Sequence, residues 1–400
     1  MCNVERSRIL STFTSLGIAE KLVAGMAHRG ITEPTAIQTM TIPDGLAGKD
    51  VCGKAPTGSG KTIAFGLVLV SKLQRAKPAA PTGLVLVPTR ELASQVCAEI
   101  DLLDSNRNLR TTAVFGGAGY GPQLRRIGSA SVVVATPGRL EDLISRRDID
   151  LRSVKIAVLD EADRMADMGF LPAVKKILDR LPVSRQVLLF SATLDGAVSE
   201  LISRYQKNPV RHDATSPESE PDIEHVFELI PKDKRLRRIA ELLDEHSQII
   251  VFCRTKHGSD RVARQLEADD ARCAVIHGNR SQAQRERALE DFRRGDARIL
   301  VATDVAARGI HIDDVPCVVH WDPPDDPKDY VHRSGRTGRA GARGVVVSLV
   351  DPSQRRSVVR DMRSIGIDVQ FVDGKPPARV RPGELGWLAP RPRAMDSASA

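Results

Sequence analysis

Residues 55–62 read APTGSGKT, between DVCGK (50–54) and the apolar run IAFGLVLV (63–70). A Gly-rich turn that follows a strand and opens a helix has the sequence form of a phosphate loop. Gly58 and Gly60 let backbone N–H groups curl around phosphate oxygens, with Pro56, Thr57 and Ser59 completing the turn and Ala55 at the first glycine position of the pattern. Lys61 reaches β and γ phosphates, and Thr62 can ligate Mg²⁺. A turn that served only to start a helix would not need the Lys-Thr pair.

The second decisive stretch is IAVLDEAD, 156–163, an apolar run ending in clustered acids. In open α/β sheets, ligands sit at the C-terminal ends of the strands. From there Asp160 can hold the hydration shell of Mg²⁺, and Glu161 can orient and deprotonate an attacking water. A lone acidic turn is usually just solvated. One that follows a buried strand downstream of GSGKT is better read as the second half of an ATP-splitting site.

Working outward, short apolar runs recur: LVLVP (84–88), VVVAT (132–136), IAVLD (156–160) and VLLFSAT (187–193), then IIVFC (249–253), CAVIHG (273–278), ILVATD (299–304), CVVHWD (317–322) and VVVSLV (345–350). Runs apolar at successive positions suit strands buried on both faces, hence parallel sheets covered by helices. Stretches of helical length such as ELASQVCAEIDLL separate them, which predicts two α/β domains of βαβ units. Four hundred residues accommodate two such cores. The polar segment KNPVRHDATSPESEPD (207–222) carries three prolines and no apolar period, so it is read as the linker. The expected domains are 1–207 and 223–373, joined by a flexible linker at 208–222, with a disordered Pro/Arg-containing tail at 374–400.

Composition narrows the class. The chain is 41% hydrophobic and 28% charged, which fits a globular protein. Lys plus Arg exceed Asp plus Glu by 59 to 51, for a net charge of +8, which favours a polyanionic partner without requiring one. The six cysteines show no zinc spacing, and those in apolar runs read as reduced core residues. No run approaches the roughly 18 apolar residues of a membrane span, and no export signal is evident, so a cytoplasmic protein is expected.

Together these stretches resemble the DEAD-box RNA helicases of helicase superfamily 2, over roughly residues 10–373. The resemblance implies two tandem RecA-like domains. It casts Phe13 and GITEPTAIQ (30–38) as an adenine-reading motif, with Gln38 bonding the adenine edge and Phe13 stacking on it. It implies RNA-backbone contacts at Pro88, Thr89 and Arg90, at Gly116 and Gly117, and at Thr136, Pro137, Gly138 and Arg139. In the second domain it adds Arg254, Gln284, Arg287 and Thr303. Ser191 and Thr193 of SAT would hydrogen-bond Asp163 and His332, linking hydrolysis to domain coupling. Within YVHRSGRTGRAG (330–341), Arg336 and Arg339 would be arginine fingers on the γ-phosphate.

Two departures from the family pattern stand out. Pro56 replaces the more usual Gln, which leaves Lys61 chemistry untouched. His311 stands where the family usually has Asp, and a His cannot accept two hydroxyl bonds as a carboxylate does, so altered nucleotide affinity is expected. The implied function is ATP-dependent remodelling of single-stranded or duplex RNA with Mg²⁺, largely independent of sequence, by a monomer. Two rivals share most of these motifs: an ATP-gated RNA clamp or assembly scaffold that does not unwind, and a superfamily 2 DNA helicase.

Overall fold

Runs that are apolar at every position can bury both faces of a strand, and here most of them do. The structure, a computed structural model, describes residues 12–56, 58–74, 80–104, 109–194, 196–215, 222–268, 271–307, 312, 315–338 and 343–372. The chain forms two compact units that divide after Ser216.

In the first unit the strands are β1 (Val51–Lys54), β2 (Gly83–Leu86), β3 (Thr111–Val114), β4 (Val132–Ala135), β5 (Ile156–Leu159), β6 (Gln186–Ser191) and β7 (Val210–Asp213). The second unit has β8 (Ile223–Leu229), β9 (Ile249–Phe252), β10 (Cys273–Ile276), β11 (Ile299–Ala302), β12 (Cys317–His320), β13 (Gly344–Val350) and β14 (Phe371–Val372). The first sheet runs β3-β4-β2-β5-β6-β1-β7 and the second β10-β11-β9-β12-β13-β8-β14. Counted from its own first strand, each unit has the same order, 3-4-2-5-6-1-7. The pairings among the described residues are parallel.

Alternation along each strand feeds two cores. Val85, Val132, Val134, Val158 and Leu188 join one apolar cluster. Their neighbours Leu84, Leu86, Val133, Ala157 and Leu189 join the cluster on the opposite face. The second sheet repeats this, with Ile250, Leu300 and Val318 on one side and Val251, Val301 and Val319 on the other. Each fully buried aliphatic side chain contributes roughly 1.5–3 kcal/mol. Burial pushes the Cys253 and Cys317 thiols up to about 12, which leaves them inert core residues.

The expected linker begins within the first sheet. Val210–Asp213 lies in the stretch read as 208–222, yet it is edge strand β7, paired to β1. Asp50 anchors it: the Val210 N–H donates to the Asp50 carbonyl at 2.9 Å, and the Lys207 N–H donates to the Asp50 carboxylate at 2.6 Å. A polar edge strand carries no apolar period, so it reads as linker. The 374–400 tail lies outside the described residues. No helix among the described residues is long and apolar enough to cross a membrane.

Candidate active site

The parallel register brings the motifs to one edge of each sheet. Lys54 pairs with Ser191, Leu159 with Leu189, Leu86 with Leu159, and both Leu86 and Val114 with Ala135. The phosphate loop, PTREL, the Gly116-Gly117 pair, TPGRL, DEAD and SAT therefore all emerge at the C-terminal ends of neighbouring strands. In the second unit the same edge carries Arg254 after β9, Thr303 after β11 and the helix Pro327–Ser334 after β12. This is the edge at which open α/β sheets bind ligands.

The phosphate loop closes on itself. Gly58 and Gly60 have φ of 84° and 90°, the left-handed region that glycine enters without steric cost. Gly60 caps the helix Lys61–Lys72, so the helix N-terminus faces the loop. Lys61 Nζ donates to the carbonyls of Ala55 at 2.9 Å and Pro56 at 2.7 Å. Thr62 stands at the next helical position. Thr57 lies outside the described residues.

Gln38 ties a second motif to this loop. Its Oε1 accepts from the Thr35 N–H at 2.9 Å, and its Nε2 donates to the Gly60 carbonyl at 3.0 Å. Thr35 Oγ1 donates to the Ser59 carbonyl at 2.8 Å. An amide side chain has two donors and two lone pairs; these contacts engage one of each, and the residue is 1% exposed. Phe13, expected to stack on adenine, is 0% exposed in this conformation, packed in the first core cluster with residues such as Leu16, Ile18 and Met26.

Asp160 and Glu161 lie at the end of β5, 2% and 5% exposed. The Asp160 Oδ1 accepts from the Glu161 N–H at 3.0 Å. Asp163 binds the SAT segment twice: its N–H donates to Ser191 Oγ at 3.2 Å, and its Oδ2 accepts from the Ala192 N–H at 3.2 Å. Acidic strand end and SAT turn are thus mechanically joined, while Thr193 is exposed. Two strands away, β1 brings Lys61 and Thr62 to the same edge, separated from β5 only by β6.

A basic cluster forms on the other half of the first sheet. A side chain at Gly117 would collide with the Arg90 guanidinium, 2.1 Å from Nη1, so the Gly-Gly turn is the bed on which Arg90 lies. The Arg139 nitrogens donate to the Ala118 carbonyl at 3.3 Å. Arg139 and Arg146 both stack on Tyr120, at 4.3 and 4.5 Å from its centroid. Burial lowers the Arg139 pKa, helped by the neighbouring Arg90 charge. Thr89 caps its helix by accepting from the Leu92 N–H at 3.3 Å, and Gly138 leaves open space where a side chain would be. Arg146 is also paired with Asp148 at 3.2 Å, and the Arg90–Arg139 pair leaves a local concentration of cations that suits a polyanion backbone. The sequence reading missed Tyr120 and Arg146. Arg139 and Arg146 are seven residues apart, a spacing that places two side chains on one helix face, but nothing local signals a ring between them.

The second unit sorts its arginines. Arg333, 2% exposed, is structural: it grips Asp304 with two nitrogens at 2.5 and 2.7 Å and donates to the Asp322 carbonyl. Arg336, 4% exposed, follows on the turn after the helix Pro327–Ser334. Arg339 and His311 lie outside the described residues. Arg254 pairs with Asp325 at 2.9 Å. Gln284 closes a capping box with Ser281, so its Oε1 is engaged as a helix cap, while Arg287 is exposed.

Two parallel α/β units of one strand order, the first bearing a phosphate loop and a buried acidic pair at its ligand edge, define a RecA-like helicase core. The chain belongs to the DEAD/DEAH box helicases: that family matches residues 35–201, and the helicase conserved C-terminal domain matches residues 232–341. It is 40% identical over 350 residues to DEAD-box ATP-dependent RNA helicase 30 of Arabidopsis thaliana, covering 85% of this chain and 59% of that protein. ATP-dependent RNA helicase CshA of Listeria monocytogenes is 40% identical over 349 residues, covering 86% of this chain and 67% of that one. Among solved structures, S. cerevisiae Dbp5 bound to RNA and ADP BeF3 is similar with a TM-score of 0.77 and 29% identity, over 90% of this chain and 94% of that one. A DEAD box protein from Methanococcus jannaschii gives 0.53 and 34%, over 90% and 99%. The chain spans about three fifths of the length of the plant relative.

Proposed function

We propose that this protein is an ATP-dependent RNA helicase that couples RNA-stimulated ATP hydrolysis to local strand separation or remodelling of RNA and RNA–protein complexes. The observation that carries this reading is the placement of the phosphate loop, Asp160 and Glu161, and the Arg90–Arg139 cluster along one sheet edge.

In this reading the N–H groups of the Gly58–Thr62 turn and Lys61 hold the ATP phosphates, and Gln38 reads adenine with its remaining amide capacity. The donor set suits Mg²⁺: a hydroxyl at Thr62 beside phosphate oxygens, and the buried Asp160 carboxylate, match the oxygen-rich, water-retaining coordination that ion prefers. When bound, Mg²⁺ supplies charge neutralisation across the β and γ phosphates. Glu161 accepts a proton from the attacking water as the water oxygen bonds to the γ-phosphorus. The bond to the bridging oxygen breaks, and its electron pair leaves on ADP. The proton then passes from Glu161 to solvent, leaving ADP and phosphate.

RNA lies along Arg90, Gly117 and Arg139, with Arg254, Arg287 and Thr303 contributing from the second unit. Contacts to backbone rather than bases make binding largely indifferent to sequence. Arg336 and Arg339 supply the arginine fingers once ATP and RNA are both bound, so RNA stimulates hydrolysis. The proposal places the enzyme in the cytoplasm as a monomer. Replacing Glu161 by Gln should leave ATP and RNA binding intact and trap RNA with ATP. RNA release from Glu161→Gln as fast as from wild type, measured by fluorescence with labelled RNA, would count against the reading.

A further inference from the structure

The residue that follows DEAD is an arginine, and the fold buries it against the catalytic acid. Arg164 lies on the short helix Ala162–Asp167, and its Nη1 donates to Glu161 Oε2 at 2.6 Å, with both side chains under a tenth exposed. A surface arginine normally extends its head to water. Here the guanidinium accepts desolvation, which only a well-formed partner offsets. Glu161 itself is unusual. Its backbone sits at φ 52°, ψ 51°, a left-handed conformation unfavourable for a residue with a Cβ and maintained only where the surroundings over-determine it. The N–H is fixed by Asp160 and the carboxylate by Arg164, so both ends of Glu161 are held.

We propose that Arg164 is a positioning residue for hydrolysis: its guanidinium holds one oxygen of Glu161 and thereby aims the carboxylate at the attacking water. The proposal rests on the reading of Glu161 as the acceptor of that water's proton. In this role Arg164 acts through Glu161 and adds no covalent step. A carboxylate offers about four lone-pair sites on two oxygens, and the guanidinium engages Oε2, which fixes the direction in which the acid points.

The test uses the full chain and RNA-stimulated ATPase measured at varied ATP and RNA. Arg164→Met should lower kcat by about 10- to 100-fold, with the KM for ATP and the affinity for RNA within about twofold of wild type. Arg164→Lys keeps the charge but loses the planar fork, so it should give an intermediate kcat at unchanged KM. The double variant Glu161→Gln/Arg164→Met should be no slower than Glu161→Gln alone, because residues acting as one unit are non-additive. Wild-type kcat in Arg164→Met beside an inactive Glu161→Gln would overturn the role of Arg164 and leave Glu161 standing. An active Glu161→Gln would instead overturn the underlying reading. A raised KM with unchanged kcat would mark Arg164 as structural only and also refute the proposal. Should Arg164→Met fail to fold by circular dichroism, Arg164→Lys decides: lowered kcat at unchanged KM supports positioning, and wild-type kcat refutes it.

Discussion

Gly117→Ala isolates the basic cluster from the ATP site. The added carbon would lie 2.1 Å from Nη1 of Arg90, 2.7 Å from its Cζ and 3.0 Å from Nη2. Those atoms are the free end of a flexible side chain, so Arg90 should swing away before the backbone deforms. The steric conflict then costs little folding energy. What remains is φ of 81° at residue 117, which costs alanine about 1 kcal/mol relative to glycine. For a unit of this size that lowers Tm by roughly 2–4 °C. RNA binding should suffer more. A charge-assisted contact to phosphate contributes about 1.5–3 kcal/mol, so displacing Arg90 should weaken RNA affinity by roughly 10- to 100-fold. One lost phosphate contact should also flatten the dependence of log affinity on log salt by about 0.7. ATP affinity should hold, because β3 and β1 are separated by four strands in the sheet. Fluorescence anisotropy on labelled single-stranded RNA with a non-hydrolysable ATP analogue, over a series of salt concentrations, measures both quantities. A variant whose Tm falls while RNA affinity and salt slope stay at wild-type values would refute the assignment of Arg90 to the RNA backbone.

Three further outcomes are expected. Gly60→Ala places a carbon 2.4 Å from Gln38 Nε2 at a φ of 90°, so it should abolish ATP binding in calorimetry while the second unit unfolds as in wild type. Asp50→Ala removes the acceptor for the Val187 N–H at 2.7 Å and the Lys207 N–H at 2.6 Å. Leaving two donors unpaired there should cost about 2–4 kcal/mol and lower the thermal midpoint of the first unit by several degrees, with the KM for ATP unchanged at permissive temperature. Burial pushes the His225 imidazole down to about 4, and burial likewise depresses His320. The unfolded chain therefore takes up these protons first. The contribution of His225 is complete above about pH 6.5 and is lost as pH falls towards 4, by up to about 3 kcal/mol. Denaturant titrations at pH 7 and 5 should show the second unit weakening, and equal midpoints would contradict the burial argument.

The motifs were largely legible in one dimension because they depend on local constraints. A turn with two glycines before Lys-Thr announces a phosphate site, and the apolar runs from LVLVP to VVVSLV each became a strand, most of them buried on both faces and the edge strand Cys273–Ile276 on alternate residues. The strands that escaped notice are those lacking that signature. Thr111–Val114 is an edge strand buried on alternate residues, Val210–Asp213 is a polar edge, Ile223–Leu229 mixes acids and a histidine with apolar residues, and Phe371–Val372 is only two residues long. The enclosure of Phe13 escaped notice for a related reason: an aromatic ring suits a base or a core equally well, and only its surroundings decide.

The sequence by itself determined the buried strands of each unit, the phosphate-loop and DEAD motifs and the family to which the chain belongs, since spacing and periodicity are properties of neighbours along the chain. Tertiary structure decided the shared strand order of the two sheets, the enclosure of Phe13, the Arg90 bed on Gly117, the stacking of Arg139 and Arg146 on Tyr120, and the pairing of Arg164 with Glu161. Strand order, enclosure, bed and stack depend on segments brought together by crossovers, and no local pattern encodes which strands become neighbours. The Arg164–Glu161 pair spans only three residues, yet its strength comes from burial, and burial is set by the whole fold.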